Sequence, residues 1–219
     1  MSLELLESHN IYVRPGHSPD VGVIKEWSVT YKRMAHAIKG HRVLDIGANI
    51  GMFSRFALAN HGASFCTAYE PHPPTADVCK ANLLEFKRKS KVHVAGVEEK
   101  GGMAILSVPK SGNSVCASTS FTKRGRLNID VPVRAFDEAV EDSAATLVKT
   151  DCEGAELRFL NGKRMPSSVR VVCGELHREG GNEARAQAVL DSFAKWRPIH
   201  APSSYSFHRC WIFAFERGD

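Results

Sequence analysis

Three short stretches carry residues whose types and spacing could do chemistry. In "VLDIGANIG", Val43 to Gly51, an apolar run meets Asp45, and Gly47 and Gly51 then flank Asn49. In "LVKTDCEGAE", Leu147 to Glu156, a second apolar run delivers Lys149, Asp151 and Glu153. "GELH" adds Glu175 and His177. A strand, a glycine turn and a helix form a common seat for a nucleotide-type ligand, because glycine lets the backbone come close. The dinucleotide fingerprint GxGxxG offers backbone amides to a pyrophosphate. Here the pattern is DxGxxxG, and the Asp45 carboxylate would repel a pyrophosphate. The same carboxylate suits a ligand with an ammonium group. S-adenosylmethionine has one, together with a sulfonium and no phosphate.

Asp151, Glu175 and His177 offer two carboxylates and an imidazole. Such a set could take a proton from a hydroxyl group or hold a divalent ion. No HxxxH or HxH spacing specifies a metal site, so the reading preferred is a base, with no metal required. Each residue also has a plainer reading. Asp45 could be a turn aspartate and Glu70 a solvated strand end. Asp151 could cap the following helix, with Glu153 and Glu156 favourable near its positive end. His177 could lie in a surface loop, and Lys149 could be a strand lysine paired with a carboxylate.

The elements that must position these residues alternate along the chain. "SPDVGVIKEWSVTYKRMAHAIKG" has apolar residues at helical spacing, with Ser18 and Pro19 at its start and Gly40 at its end. "RVLDIG", "SFCTAYE", "KVHVAGV", "ATLVKTD", "VRVVCGEL" and "RCWIFAFER" read as strands. "MFSRFALANHG", "PTADVCKANLLEFKRK", "EGAELRFLNG" and "NEARAQAVLDSFAKW" read as helices between them. "MAILSVP" and "LNIDVPV" read as strands flanking a polar loop. Alternating strands and helices predict an α/β fold, a doubly wound and mostly parallel sheet covered on both faces. The last strand is expected to be antiparallel and at the sheet edge. Residues 1–40 are expected to form an N-terminal helical extension packed on a core of residues 41–219. In open sheets of this kind ligands sit beyond the carboxyl ends of the strands. That rule selects Asp45 to Gly51, Glu70, Ala95 to Val97, Lys149 to Glu153, and Glu175 to His177. A carboxylate at the Glu70 position can accept hydrogen bonds from both ribose hydroxyls.

"VLDIGANIGMFS", "AYEPHPPTADVCKANL", "LVKTDCEGAE" and "GELH" resemble, in order, the motifs of FkbM-type S-adenosylmethionine-dependent methyltransferases. The resemblance runs from about Val43 to His177. It implies a Rossmann-like class I methyltransferase fold and methylation of hydroxyl oxygens on sugars and natural products. By position, Asp45, Gly47, Asn49, Gly51 and Glu70 would line the cofactor, and Lys149, Asp151, Glu153 and Glu175 would face the transferred methyl or the acceptor. Together with the strand ends selected above, this gives an expected cofactor set that also includes Pro71, Val97 and Asp151, and an expected catalytic set of Asp151, Glu175, His177 and Lys149. The position before the family's Glu-Gly holds Cys152 here.

Composition narrows the alternatives. The 219 residues suffice for one well-buried α/β core. Lys plus Arg number 29 and Asp plus Glu 24, a net charge of +5, which is mildly basic. The basic run Lys87 to Lys91 reads as a solvated face at a helix end, whereas Lys123 to Arg126, in the polar middle loop, could contact an anionic acceptor and leaves an RNA 2′-hydroxyl methyltransferase as an alternative. No aromatic-rich strand platform for stacking bases accompanies them. A non-catalytic binding subunit with the same fold is the other alternative. Six cysteines without a CxxC pair fit a reducing compartment, so a cytoplasmic location is expected. No apolar run reaches the roughly 20 residues that span a bilayer.

Overall fold

The computed structural model describes residues 2–30, 32–109, 119, 126–178, 181–205 and 210–218. The chain opens with a small antiparallel hairpin, β1 (Glu4–Leu6) and β2 (Ile11–Val13), followed by α1 (Ser18–Thr30). The alternating part runs through β3 (Arg42–Ile46), α2 (Met52–Asn60), β4 (Phe65–Tyr69), α3 (Pro73–Asn82) and β5 (Ser90–His93). Then come β6 (Gly96–Glu98), β7 (Gly102–Pro109), β8 (Arg126–Ala135) and α4 (Phe136–Ser143). The chain continues with β9 (Leu147–Thr150), α5 (Glu156–Phe159), β10 (Val171–His177), α6 (Glu183–Ser192), β11 (Arg197–Tyr205) and β12 (Cys210–Glu216).

Seven strands form the main sheet in the order β11-β12-β10-β9-β3-β4-β5. β10, β9, β3, β4 and β5 are parallel, and β12 lies antiparallel between β10 and β11. The doubly wound, mostly parallel α/β architecture is therefore as the alternation predicts. The sheet is buried on both faces because its strand residues alternate between two cores. Leu44, Val148 and Val172 join Phe136, Phe159 and Phe193 on one face. Val43, Val171 and Cys173 join Phe53, Ile24 and Ile11 on the other. Ile11, Val13, Met34 and Ile38 share that second core, so residues before 40 pack on the same face as α2. Asn82, almost fully buried, fastens this segment. Its side chain accepts from the Tyr12 N–H at 2.6 Å and donates to the carbonyls of Tyr12 and Ile50.

The structure corrects several local expectations. β12 is antiparallel but interior, and the edge strand is β11, in a polar segment without alternating apolar residues. "KVHVAGV" divides into β5, in the main sheet, and β6, which pairs with β8 in a separate three-stranded sheet of order β6-β8-β7. The helix expected from Ser18 to Lys39 becomes α1 followed by a tighter helical segment, Lys32–Ala37. The helix expected from Glu153 shrinks to α5, because Glu153 and Gly154 adopt positive φ of 56° and 99° and build a turn first. The hairpin β1–β2 and helix α4 went unread. The polar loop expected between "MAILSVP" and "LNIDVPV", which carries the basic run Lys123 to Arg126, lies outside the described residues except for Thr119 and Arg126.

The order of strands reverses between β3 and β9, since the chain builds outward to β5 and then returns to the other side of β3. Two glycines set how closely the carboxyl ends meet there. A Cβ on Gly47 (φ +75°) would lie 1.8 Å from the Asp151 carbonyl oxygen, and one on Gly174 (φ +147°) would lie 1.9 Å from the Thr150 carbonyl oxygen. Both positions combine a backbone conformation that favours glycine with backbone-to-backbone contact. Gly174→Ala should therefore destabilise the fold by about 2–4 kcal/mol, read from urea unfolding. A loss below about 0.5 kcal/mol would show that β9 and β10 separate without strain.

Candidate active site

The turn after β3 is not an anion cradle. The amides of Gly47 and Ala48 both donate to the Tyr69 carbonyl at 3.0 Å. The Asn49 amide donates to Glu70 Oε2 at 2.9 Å, and the Ile50 amide to Asn49 Oδ1 at 2.8 Å. The Gly51 amide donates to the Ala48 carbonyl at 2.8 Å. Each of these five N–H groups thus has an acceptor within the protein, and none is left to point at a phosphate. Asn49 and Gly51 take positive φ, 52° and 82°, to make this closed turn. Gly51 also lets α2 start tight against α3, where a Cβ would meet Cys79 Sγ at 2.8 Å.

Beneath the turn lies a buried ion pair. Asp45 has no exposed surface; its Oδ2 accepts from Ser54 Oγ at 2.8 Å and its Oδ1 pairs with Lys149 Nζ at 3.1 Å. Lys149, 3% exposed, also donates to the Gly47 carbonyl at 2.9 Å and stands 3.9 Å from Asp151 Oδ2. Burial by itself would lower the pKa of this ammonium. The pull of Asp45, then Asp151 and Glu175, outweighs it and holds the pKa above the ordinary lysine value. The expectation that the Asp45 carboxylate meets a ligand directly is corrected here: both its oxygens are held under the turn. Lys149 likewise points at Asp45 and the turn.

Glu70, at the end of β4 and 6% exposed, accepts from the amides of Asn49 and His72, both at 2.9 Å. Burial raises its pKa to about 7, against the lowering effect of those two hydrogen bonds. Pro71 follows it, half-buried, within reach of Gly96 at the start of β6. Val97 is 3% exposed and belongs to the core cluster beside Tyr69.

Asp151, Glu175 and His177 come together as the sequence reading anticipates. One ligand atom of each lies within 4.8 Å of the others. Asp151 is the most open, with 30% of its side chain exposed against 15% for His177. Glu175 is buried. Their donor types could also hold a divalent ion. Glu156, missed as a site residue, is fully buried behind them and binds the His177 ring at Nδ1 (3.0 Å). Its only sequence signal is its place three residues after Glu153 in the same motif. His177 Nε2 lies 3.7 Å from Glu153 Oε2. Burial would lower the imidazole pKa, but Glu156, Glu153 and Asp151 together hold it well above the ordinary histidine value. Across the whole site six carboxylates, Asp45, Glu70, Asp151, Glu153, Glu156 and Glu175, accompany the basic groups Lys149 and His177. That excess of negative charge favours a cationic ligand.

Comparison with known proteins identifies the family and the fold. The family model of the methyltransferase FkbM domain matches residues 45–207. The methyltransferase sdnD of Sordaria araneosa is 24% identical, over 75% of this chain and 78% of its own length. The 31-O-demethyl-FK506 methyltransferase FkbM of Streptomyces tacrolimicus is 32% identical over 68 residues, 31% of this chain and 26% of that protein. The crystal structure of methyltransferase FkbM from Methylobacillus flagellatus superposes with a TM-score of 0.53 at 16% identity, over 80% of this chain. This chain spans 43% of the Methylobacillus chain, and the likeness there is one of fold. No helix among the described residues is long and apolar enough to cross a membrane.

The buried pair gives a direct test of what Lys149 does. Lys149→Met should destabilise the fold by about 3–5 kcal/mol, because it leaves Asp45 buried and uncompensated. Adding Asp45→Asn should recover at least about half of that loss in chemical denaturation. Additive losses in the double variant would separate the two residues and return Lys149 to the catalytic set.

Proposed function

This chain belongs to the methyltransferase FkbM domain family, and from that premise we propose that it transfers a methyl group from S-adenosylmethionine to a hydroxyl oxygen of a saccharide or natural-product acceptor. The closed turn carries the cofactor reading: with all five amides from Gly47 to Gly51 satisfied internally, the turn keeps none of them free for a pyrophosphate. The surrounding carboxylates favour the opposite charge. The name of the Streptomyces relative, a 31-O-demethyl-FK506 methyltransferase, denotes methylation at an oxygen and supports a hydroxyl acceptor.

S-adenosylmethionine, when bound, supplies a methyl group already activated on a sulfonium. The residues of this chain have to seat it, present the hydroxyl, keep water out and take up a proton. Glu70 is held by two amides and keeps lone pairs for the ribose hydroxyls. Gly47 and Asn49 shape the turn against which the ligand rests, flanked by Pro71 and Val97. Asp151, at the end of β9 and the most exposed member of its group, accepts the hydroxyl proton on its carboxylate. Lys149, 3.9 Å behind it, keeps that carboxylate turned toward the turn. His177 and Glu175 border the same space and orient the acceptor. Much of the rate then comes from positioning.

Two measurements test this reading. Calorimetry should show binding of S-adenosylmethionine and none of NAD. Because the ionised form of Glu70 accepts the ribose hydroxyls, affinity should rise as the pH rises through about 7. The pH dependence should vanish in Glu70→Gln. NAD binding without S-adenosylmethionine binding would sink the proposal. For the transfer step, Asp151→Asn should lower kcat by about 10²–10⁴-fold while cofactor affinity changes far less. Exhaustive chelation should leave wild-type activity intact. Activity abolished by chelator and restored by magnesium would move Asp151 from base to metal ligand.

A further inference from the structure

Glu156 has no exposed surface, yet four donors converge on it. Oε1 accepts from the His177 backbone N–H at 2.8 Å and from its ring Nδ1 at 3.0 Å. Oε2 accepts from the Gly154 amide at 2.9 Å and from Cys152 Sγ at 3.3 Å. No oxygen of this carboxylate is turned toward a ligand. Its work is done on its neighbours.

Two bonds from one residue to one oxygen pin that residue's side chain. The His177 backbone and ring both close on Oε1, so the torsions between them have little freedom. The bond also requires that Nδ1 carry hydrogen, whether the ring is neutral or charged. Burial would push the Glu156 carboxyl up, but the His177 charge and the hydrogen bonds from His177 hold it below the ordinary carboxylate value. An ionised carboxylate only accepts, so Nδ1 must carry the proton. The nitrogen left to face the open part of the site is Nε2, on the side of Glu153, Asp151 and Glu175.

We infer that Glu156 is the positioning residue of the site: it clamps the His177 ring through Nδ1 and thereby presents Nε2, and only Nε2, to the group bound at the ends of β9 and β10. The logic is that of a carboxylate that orients an imidazole in hydrolytic triads. The sequence makes the clamp possible because the turn at Glu153 and Gly154 delays the start of α5, which places Glu156 at its first position behind β10 rather than on the ligand side. Cys152 fits the same device: its thiol donates to the Oε2 that Gly154 also holds. The charged groups around the ring are Glu156 on α5, Glu153 and Asp151 on the turn after β9, and Glu175 on β10, with Lys149 behind Asp151.

This assignment rests on the methyltransfer reading for its kinetic arm only, so the test has a second arm on the free protein. With ¹⁵N-histidine labelling, His177 should give a downfield Nδ1–H resonance protected from exchange with water, identified by its loss in His177→Gln. Glu156→Ala should abolish that resonance, and Glu156→Gln, which retains an acceptor oxygen, should keep it. In turnover, Glu156→Ala should lower kcat at least about tenfold with the KM for S-adenosylmethionine within about threefold, and Glu156→Gln should recover part of kcat. A persistent Nδ1–H signal in a folded Glu156→Ala would overturn the inference, as would a wild-type kcat in that variant. Should Glu156→Ala not fold, Glu156→Asp, too short to span to the ring, replaces it with the same expected loss of the signal. Failure of the wild-type chain to methylate any hydroxyl acceptor would defeat the functional reading alone, leaving the spectroscopic arm to decide on the clamp.

Discussion

A lysine buried at the carboxyl edge of a parallel sheet is the constraint on which the rest of this site depends. An ammonium removed from water is stable only where its lost hydration is replaced by charge and hydrogen bonds. Lys149 finds both: Asp45 at 3.1 Å, the Gly47 carbonyl at 2.9 Å and Asp151 beyond. Those partners belong to β3, to the turn after it and to the end of β9. One side chain therefore joins the strand that begins the fold to the strand that follows the reversal of sheet order. With it in place, the carbonyl of Gly47 points inward to the ammonium.

That inward turn decides what can bind above it. A phosphate loop works by leaving several amides free to converge on an anion. Here the same amides are spent on Tyr69, Glu70, Asn49 and Ala48. The two kinds of glycine turn thus differ less in their glycines than in where the N–H groups go. Asp45 matters through this route. Its carboxylate holds the lysine whose ammonium binds the Gly47 carbonyl, and so acts on the turn from beneath.

The fold was legible because burial on two faces leaves a plain trace: short runs such as "RVLDIG" and "VRVVCGEL", each followed by a turn and a helix. The reversal of strand order was implied by the same alternation. β11 was not legible, since an edge strand needs no apolar alternation, and "RPIHAPSSY" has none. β6 was hidden because His93 and Gly96 sit in one apolar run while the backbone changes sheets between them. At the site, spacing located Asp151, Glu175 and His177 at adjoining strand ends, and parallel pairing of β9 with β10 brings those ends side by side. Spacing could not say which acidic residues are sealed in. Asp45 and Glu156 look like Asp151 and Glu153 in a sequence, and only packing separates them.

Packing also divides the labour within the motif "KTDCEGAE". Its charged residues are spaced closely enough to read as one cluster, yet each meets a different environment. Lys149 and Glu156 are sealed, with 3% and 0% of their surface exposed. Asp151 and Glu153 keep 30% and 25% of their side chains in reach of solvent. A sealed charge whose lone pairs or protons are all engaged cannot change its bonding during a reaction without a large cost. It can hold a neighbour still at no further cost. A charge at the boundary can exchange water for a substrate hydroxyl. The motif thus sets two available charges between two fixed ones, and each fixed charge lies behind a group at the boundary: Lys149 behind Asp151, and Glu156 behind His177 of β10. Freedom to exchange partners is confined to the outer layer because the inner layer has already used its hydrogen bonds.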